Sequence, residues 1–229
     1  ALILQGTVDR TTVLHPLLDI KNKVRESRHS DAHPRSKAIA VIFDDTGSMG
    51  AVPVTMQKKL PTFMALLVSR GYCQDPQVLY GCVGDYHTDQ APLQIGQFES
   101  GNEMDDAFAA MALEGNGGGT NQESYELALW YFAHRVEMDC LSKRGEKGLL
   151  FIIGDEQPYP VVSAKQVEKI CGVRLQADVP VAQVMDDLRR KFEVFFVLPS
   201  GTHNYNNPTI RDAWAALVAP ERVIKLDDP

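Results

Sequence analysis

Four side chains able to hold an ion or do acid chemistry fall within five positions of one another: Asp44, Asp45, Thr46 and Ser48, in the stretch AVIFDDTGSMG at 40–50. They follow an apolar run, and Gly47 and Gly50 among them let the chain turn without a Cβ clash. Two further oxygen-bearing positions end comparable stretches. Thr120 lies in the glycine-rich run GNGGGTN at 115–121, and Asp155 closes KGLLFIIGD at 147–155. Counted from Asp44, the first motif reads D-x-T-x-S, with three oxygen side chains at alternate positions directed to one side of a loop. Asp44, Thr46, Ser48, Thr120 and Asp155 are all oxygen donors, a set suited to a hard cation such as magnesium, calcium or manganese and not to zinc or copper.

Other chemistries compete for the same residues. Asp45-Thr46-Gly47-Ser48 spells the D-T-G-S of aspartic proteases, but such enzymes need two facing aspartates, and no second D-T-G or D-S-G occurs in the chain. A homodimer would supply the second copy, so a hydrolase of this kind, or a metal-dependent phosphatase, stands as the alternative. A haloacid-dehalogenase-like phosphatase needs acids two apart, whereas Asp44 and Asp45 are adjacent and Thr46 takes the second position. The run GNGGGTN lacks the lysine of a phosphate-binding loop. The plain structural reading is a strand-end acid at Asp44, a helix cap at Ser48 and a capping box in Thr120-Asn121-Gln122-Glu123. For Thr120 capping and ligation both stay open. Asp45 is expected to be solvated, and Asp85, His87 and Asp89 to form a solvated turn with at most rim contacts to a partner.

The elements that must position these residues show in the apolar pattern. Short apolar runs at 37–43, 77–85, 147–155 and 193–199 read as buried strands, with short strands at 92–99 and 222–227. Helical patterns separate them, at 53–71 with Pro61 kinking the run or marking its true start, and at 102–115, 121–138, 163–172, 181–192 and 208–218. Trp130, Phe132, Phe195 and Phe196 are expected in the core. This alternation predicts an α/β fold with a mostly parallel sheet covered by helices on both faces, doubly wound in the Rossmann-like manner. In such sheets the ligand crevice lies beyond the carboxyl ends of the strands, which selects the loops after Phe43, Gly84 and Gly154. Residues 1–36 read as an extension, with a short helix near 14–24, and residues 37–229 as the domain.

Composition removes several function classes. The 229 residues are 44% hydrophobic and carry a net charge of −7, so nothing gathers phosphates and nucleic acid is not an expected partner. No apolar run approaches the ~20 residues that span a bilayer, and ALILQGTVDR is short for a secretory signal, so no membrane is expected and the cytoplasm is the expected address. Cys73, Cys82, Cys140 and Cys171 show no zinc spacing and are expected as reduced thiols.

Three fragments in this order, D-x-T-G-S-M at 44–49, G-G-G-T-N at 117–121 and an apolar strand ending in Gly154-Asp155, resemble the metal-ion-dependent adhesion site (MIDAS) of the von Willebrand factor A family. The likeness covers roughly 37–227, with the strand at 92–99 as the antiparallel edge. Two positions depart from the family pattern: Thr46 stands where serine is commoner, and Gly154-Asp155-Glu156 where Thr-Asp-Gly is commoner. The resemblance implies that Thr46 and Ser48 bind the cation through their hydroxyls and that Asp44 and Asp155 hold it mainly through water. Thr120 would bind directly or through water. It further implies a protein-protein interaction module, with no catalysis, in which magnesium, or else calcium or manganese, engages a Glu or Asp of a partner. An adaptor in a multiprotein assembly beside a ring ATPase is the context the family suggests.

Overall fold

A computed structural model describes residues 14–59, 62–101, 103–115 and 122–228. In chain order the elements are β1 (Arg25–Ser27), β2 (Lys37–Asp44), α1 (Val52–Lys59), α2 (Phe63–Ser69), β3 (Pro76–Val83), β4 (Leu93–Ile95), α3 (Glu103–Ala109), β5 (Gln122–Glu123) and α4 (Tyr125–His134). They continue with β6 (Val136–Met138), α5 (Asp139–Arg144), β7 (Gly148–Ile153), β8 (Gln157–Pro158), β9 (Val161–Val162), α6 (Ala164–Cys171), β10 (Val179–Pro180), α7 (Val181–Arg189), β11 (Phe192–Pro199), α8 (Pro208–Val218) and β12 (Val223–Leu226).

The protein is a mixed α/β structure around a six-stranded sheet of order β12-β11-β7-β2-β3-β4. All neighbours in it are parallel except β3 and β4, which pair antiparallel through Gly81↔Ile95 and Val83↔Leu93. Strand β3 is buried along its whole length, as a strand covered on both sides must be. Alternation along β2 divides the core: Ala38, Ala40 and Ile42 join one apolar cluster, and Ile39, Val41 and Phe43 the other. The first cluster holds α4, α6, α7 and α8. Small Ala38 and Ala40 leave room there for α4, whose residues Tyr125 to Ala133 are all buried. A helix apolar on every side belongs inside a protein, and α4 lies between the sheet and the outer helices.

The second cluster is covered by α1, α2 and α3 and is thinner. Helix α2 buries none of its residues, and Leu66 and Val68 are half exposed. Phe195 therefore departs from expectation. Adjacent residues of a strand point to opposite faces, so Phe196 stacks on Trp214 in the core while Phe195 stacks on Phe151 on the thinly covered face, partly exposed.

Several expected elements take another form. The helical pattern at 53–71 is two helices, one on each side of residues 60–61. The helix expected over 121–138 ends at His134, because Val136–Met138 pairs in parallel with β1. The helix expected over 102–115 ends at Ala109. No helix forms near 14–24; instead Leu18 and Ile20 are buried in the two clusters. Arg25 clips this segment to the sheet, its Nη2 donating to Leu17 O at 2.8 Å and to Ile95 O at 2.6 Å. His33 Nδ1 lies 2.6 Å from Asp75 Oδ1. All four cysteines are unpaired thiols, three of them buried. Among the described residues no helix is long and apolar enough to cross a membrane.

Candidate functional site

The sheet order places β2 beside both β3 and β7, so the chain leaves β2 in one direction and later returns on its other side. The carboxyl ends of β2 and β7 lie side by side at that reversal, the place where open α/β sheets bind their ligands. Asp44 is the last residue of β2, and Asp155 lies two residues beyond β7. Past Asp44, Thr46 is extended and Gly47–Met49 makes one tight 3-10 turn anchored by the buried Met49. Gly50 ends the turn at φ 56°, ψ −121°, a left-handed backbone that a side chain would strain.

Four of the five expected site residues meet there, as two hydrogen-bonded pairs side by side. The Thr46 hydroxyl donates to Asp44 Oδ1 at 2.6 Å, and the Thr46 amide donates to the same oxygen at 2.8 Å. The Ser48 hydroxyl donates to Asp155 Oδ1 at 2.6 Å. The two hydroxyl oxygens are 3.2 Å apart. With both protons turned to carboxylates, these oxygens face each other with lone pairs alone, an arrangement that a cation between them would relieve. Neighbouring oxygens of an octahedron lie about 3.0 Å apart around magnesium and about 3.4 Å apart around calcium, from typical bond lengths. Thr120, the fifth expected ligand, lies outside the described residues, as does the glycine run before it.

Further residues fix the acids. Tyr125, the first residue of α4, donates its hydroxyl to Asp44 Oδ2. Gly154 makes that reach feasible, since a Cβ there would overlap the Tyr125 hydroxyl and lie 2.8 Å from its Cζ. The Asn204 amide donates to Asp155 Oδ2 at 3.0 Å, and the His203 amide donates to Ser48 O at 3.0 Å. The segment after β11 thus forms part of the rim. Tyr125 was not expected at the site; its helical spacing read only as core.

Around this centre lies a store of buried acid. Asp44, Glu123, Glu126 and Asp155 are fully buried, and Asp45, Asp85 and Glu156 nearly so. Burial pushes the Asp44 carboxyl up to about 7, against the hydrogen bonds from Thr46 and Tyr125 that pull it down. Burial likewise raises Asp45 and Glu126, each to about 8. Glu123 and Glu156 face each other and are both raised, first by burial. No Lys, Arg or His appears among the groups that shift these five acids.

Two expectations are corrected here. Asp45 is buried instead of solvated, because it turns inward to accept the Glu114 amide at 3.3 Å. Asp85 is no solvated turn residue either: it accepts from Ser124 and Tyr159, each at 3.3 Å, while Asp89 folds back onto the Asp85 amide at 2.6 Å. His87 is exposed, edge-on to Tyr86 and Tyr159 with ring centroids 5.5 and 5.6 Å away.

Among the described residues no three His, Cys, Asp or Glu side chains are arranged to hold a metal by themselves. A site here would rest on hydroxyls as much as on acids. The donor set fits a hard divalent cation on two observations: every donor is oxygen, and several buried carboxylate oxygens have no donor, both of Glu123 and Oε2 of Glu156 among them.

No protein-family profile matches the chain, and no curated protein does. Solved structures do. The pilus adhesin SpaC from Lactobacillus rhamnosus GG, in its open conformation, aligns with 91% of the chain at TM-score 0.56 and 12% identity. Proximal thread matrix protein 1 from the mussel byssus aligns with 90% at TM-score 0.53 and 10% identity. The chain spans 29% of the first and 45% of the second, and at these identities the likeness is one of fold.

Proposed function

We propose that the chain is a doubly wound domain of von Willebrand factor A type that binds a divalent cation at the rim and uses it to engage a carboxylate of a protein partner. The observation that carries this reading is the series Asp44, Thr46, Ser48, Asp155 at the point where the strand order reverses, each hydroxyl bonded to its own carboxylate and the two hydroxyl oxygens 3.2 Å apart. Thr46 Oγ1 and Ser48 Oγ would hold the ion directly. Asp44 and Asp155 would keep the two hydroxyl protons turned away from it. Tyr125 and the Asn204 amide hold those carboxylates in turn, the outer layer that sets the direction of the inner ligands. When bound, the cation would supply an electrophilic point for an anionic oxygen from outside. The name of the similar pilus protein, an adhesin, supports a binding role over turnover.

The test is calorimetric titration of metal-stripped protein with magnesium, calcium and manganese chlorides. It is followed by binding to immobilised peptides carrying Glu or Asp and to counterparts carrying Gln or Asn. The wild type is expected to bind a divalent ion at or below millimolar concentration, with Ser48→Ala weakened at least tenfold, and to prefer the acidic peptides only without EDTA. A protein silent to all three ions at 10 mM, or a Ser48→Ala variant equal to wild type, would refute the reading.

A further inference from the structure

Glu156 and Glu123 take no part in the series just described, yet they are buried beside it, Glu123 fully and Glu156 to within 2%. Glu156 follows Asp155 directly, and its backbone is fixed by Trp214 Nε1, which donates to Glu156 O at 2.8 Å. From there its carboxyl lies beside Ser48 and faces the Glu123 carboxyl. Glu123 is held by the short parallel pairing of β5 with β8, which sets it opposite Pro158. Both Glu123 oxygens, and Oε2 of Glu156, receive no hydrogen bond from any described residue. Carboxylate oxygens withdrawn from water and given no donor are costly, and nothing in the fold's architecture requires two glutamates here.

We infer that Glu156, backed by Glu123, is an additional ligand of the cation at this site and makes the site select calcium over magnesium. The inference rests on the cation reading above and adds to it the identity of the ion. Two hydroxyls and two acids held mainly through water suit magnesium, which keeps several waters and a strict octahedron. A third carboxylate beside Ser48 raises both the oxygen count and the negative charge. Calcium, which takes six to eight oxygens in flexible geometry and accepts bidentate carboxylates, gains from both; magnesium gains little.

The experiment is titration of metal-stripped full chain with calcium chloride and with magnesium chloride, for wild type, Glu156→Gln, Glu123→Gln and Ser48→Ala, each checked for folding by circular dichroism. Wild type is expected to bind calcium at least tenfold more tightly than magnesium. Glu156→Gln is expected to bring that ratio below about threefold while leaving magnesium within threefold of wild type. Glu123→Gln should weaken calcium by a smaller factor. If Ser48→Ala loses both ions while Glu156→Gln keeps the wild-type ratio, the cation site stands and the inference falls; the glutamates are then a proton-sharing structural pair, for which glutamine is a neutral replacement. A wild type that prefers magnesium overturns it as well, and a wild type that binds neither ion overturns both readings. Should Glu156→Gln not fold, Glu156→Asp, which keeps the charge and shortens the reach, is expected to lower calcium affinity alone, and no change would overturn the inference.

Discussion

Glu126 offers a direct measure of how much buried acid this fold tolerates. It sits in the first turn of α4, fully buried, with Oε2 accepting the Tyr159 amide at 3.3 Å and Oε1 receiving nothing. Burial pushes it from the ordinary 4.5 up to about 8. A carboxyl raised in the folded state stabilises the protein fully only below its unfolded value, and that stability is lost as pH rises through the folded value. Between pH 4.5 and 8 Glu126 should therefore cost up to about 1.4 kcal/mol per pH unit, with a ceiling of about 4 kcal/mol at pH 8. Glu126→Gln keeps the shape, offers an oxygen to the Tyr159 amide and puts an NH2 toward the neighbouring Asp85, a favourable exchange. It forfeits the interaction of a negative charge with the helix N-terminus, about 0.3–1 kcal/mol, which is smaller. Urea unfolding in EDTA at pH 5 and pH 8 is the assay. The variant is expected within about 1 kcal/mol of wild type at pH 5 and at least about 2 kcal/mol more stable at pH 8. Equal pH slopes in the two proteins, or a variant less stable at pH 8, would refute the reasoning.

Two other outcomes follow from single contacts. Gly154→Ala puts a methyl where the Tyr125 hydroxyl lies, so Tyr125 must leave Asp44; cation affinity measured by calorimetry should fall about tenfold, or 1.4 kcal/mol, with every ligand still present. An unchanged affinity would mean that Tyr125 does not orient the acid. Arg25→Met removes the donor to Leu17 O and Ile95 O and strands both carbonyls, costing about 2–3 kcal/mol and exposing 14–36 to faster amide exchange than the sheet. Uniform exchange across both regions would assign Arg25 no clipping role.

What the sequence discloses of this fold depends on how local the cause is. The long strands declared themselves because a strand covered on both faces must be apolar almost throughout, as 37–44 and 192–199 are. Helix α8 was legible to the residue, helped by Asn207, whose side chain caps the Thr209 amide, and by Pro208 at its first position. The two- and three-residue strands β1, β5, β8, β9 and β10 exist only through partners far along the chain, so no local pattern announces them. The D-x-T-x-S turn and Asp155 were readable because their donor types converge on one chemistry. Tyr125 was not read as part of the site, and Glu156 only as a flank of Asp155 shaping the rim: one lies in an apolar helix and the other beside a motif residue, and each acquires its role from a neighbour supplied by another element. Asp45 and Asp85 misled for the converse reason. Acids in loops are mostly solvated, and only the folded neighbourhood tells that these two turn inward.

The concentration of acid at one rim bears on how the protein would respond to a cation. The N-terminus of α4 points its partial positive charge, worth roughly half an elementary charge, at the acids through Tyr125 and Glu126. Against seven buried carboxyls that is a small offset, and no basic side chain is among the groups that shift the five raised ones. Without a cation Asp45 and Glu126, pushed by burial to about 8, keep most of their protons at neutral pH, and Asp44, at about 7, keeps a share of its own. A divalent ion taken up by the series Asp44, Thr46, Ser48, Asp155 would have to displace protons from its surroundings, so its affinity should climb with pH while the ion-free fold loses stability. The two slopes have opposite signs. A partner reaching this rim through the ion would therefore meet a firmer protein at a pH where the empty site is at its least stable.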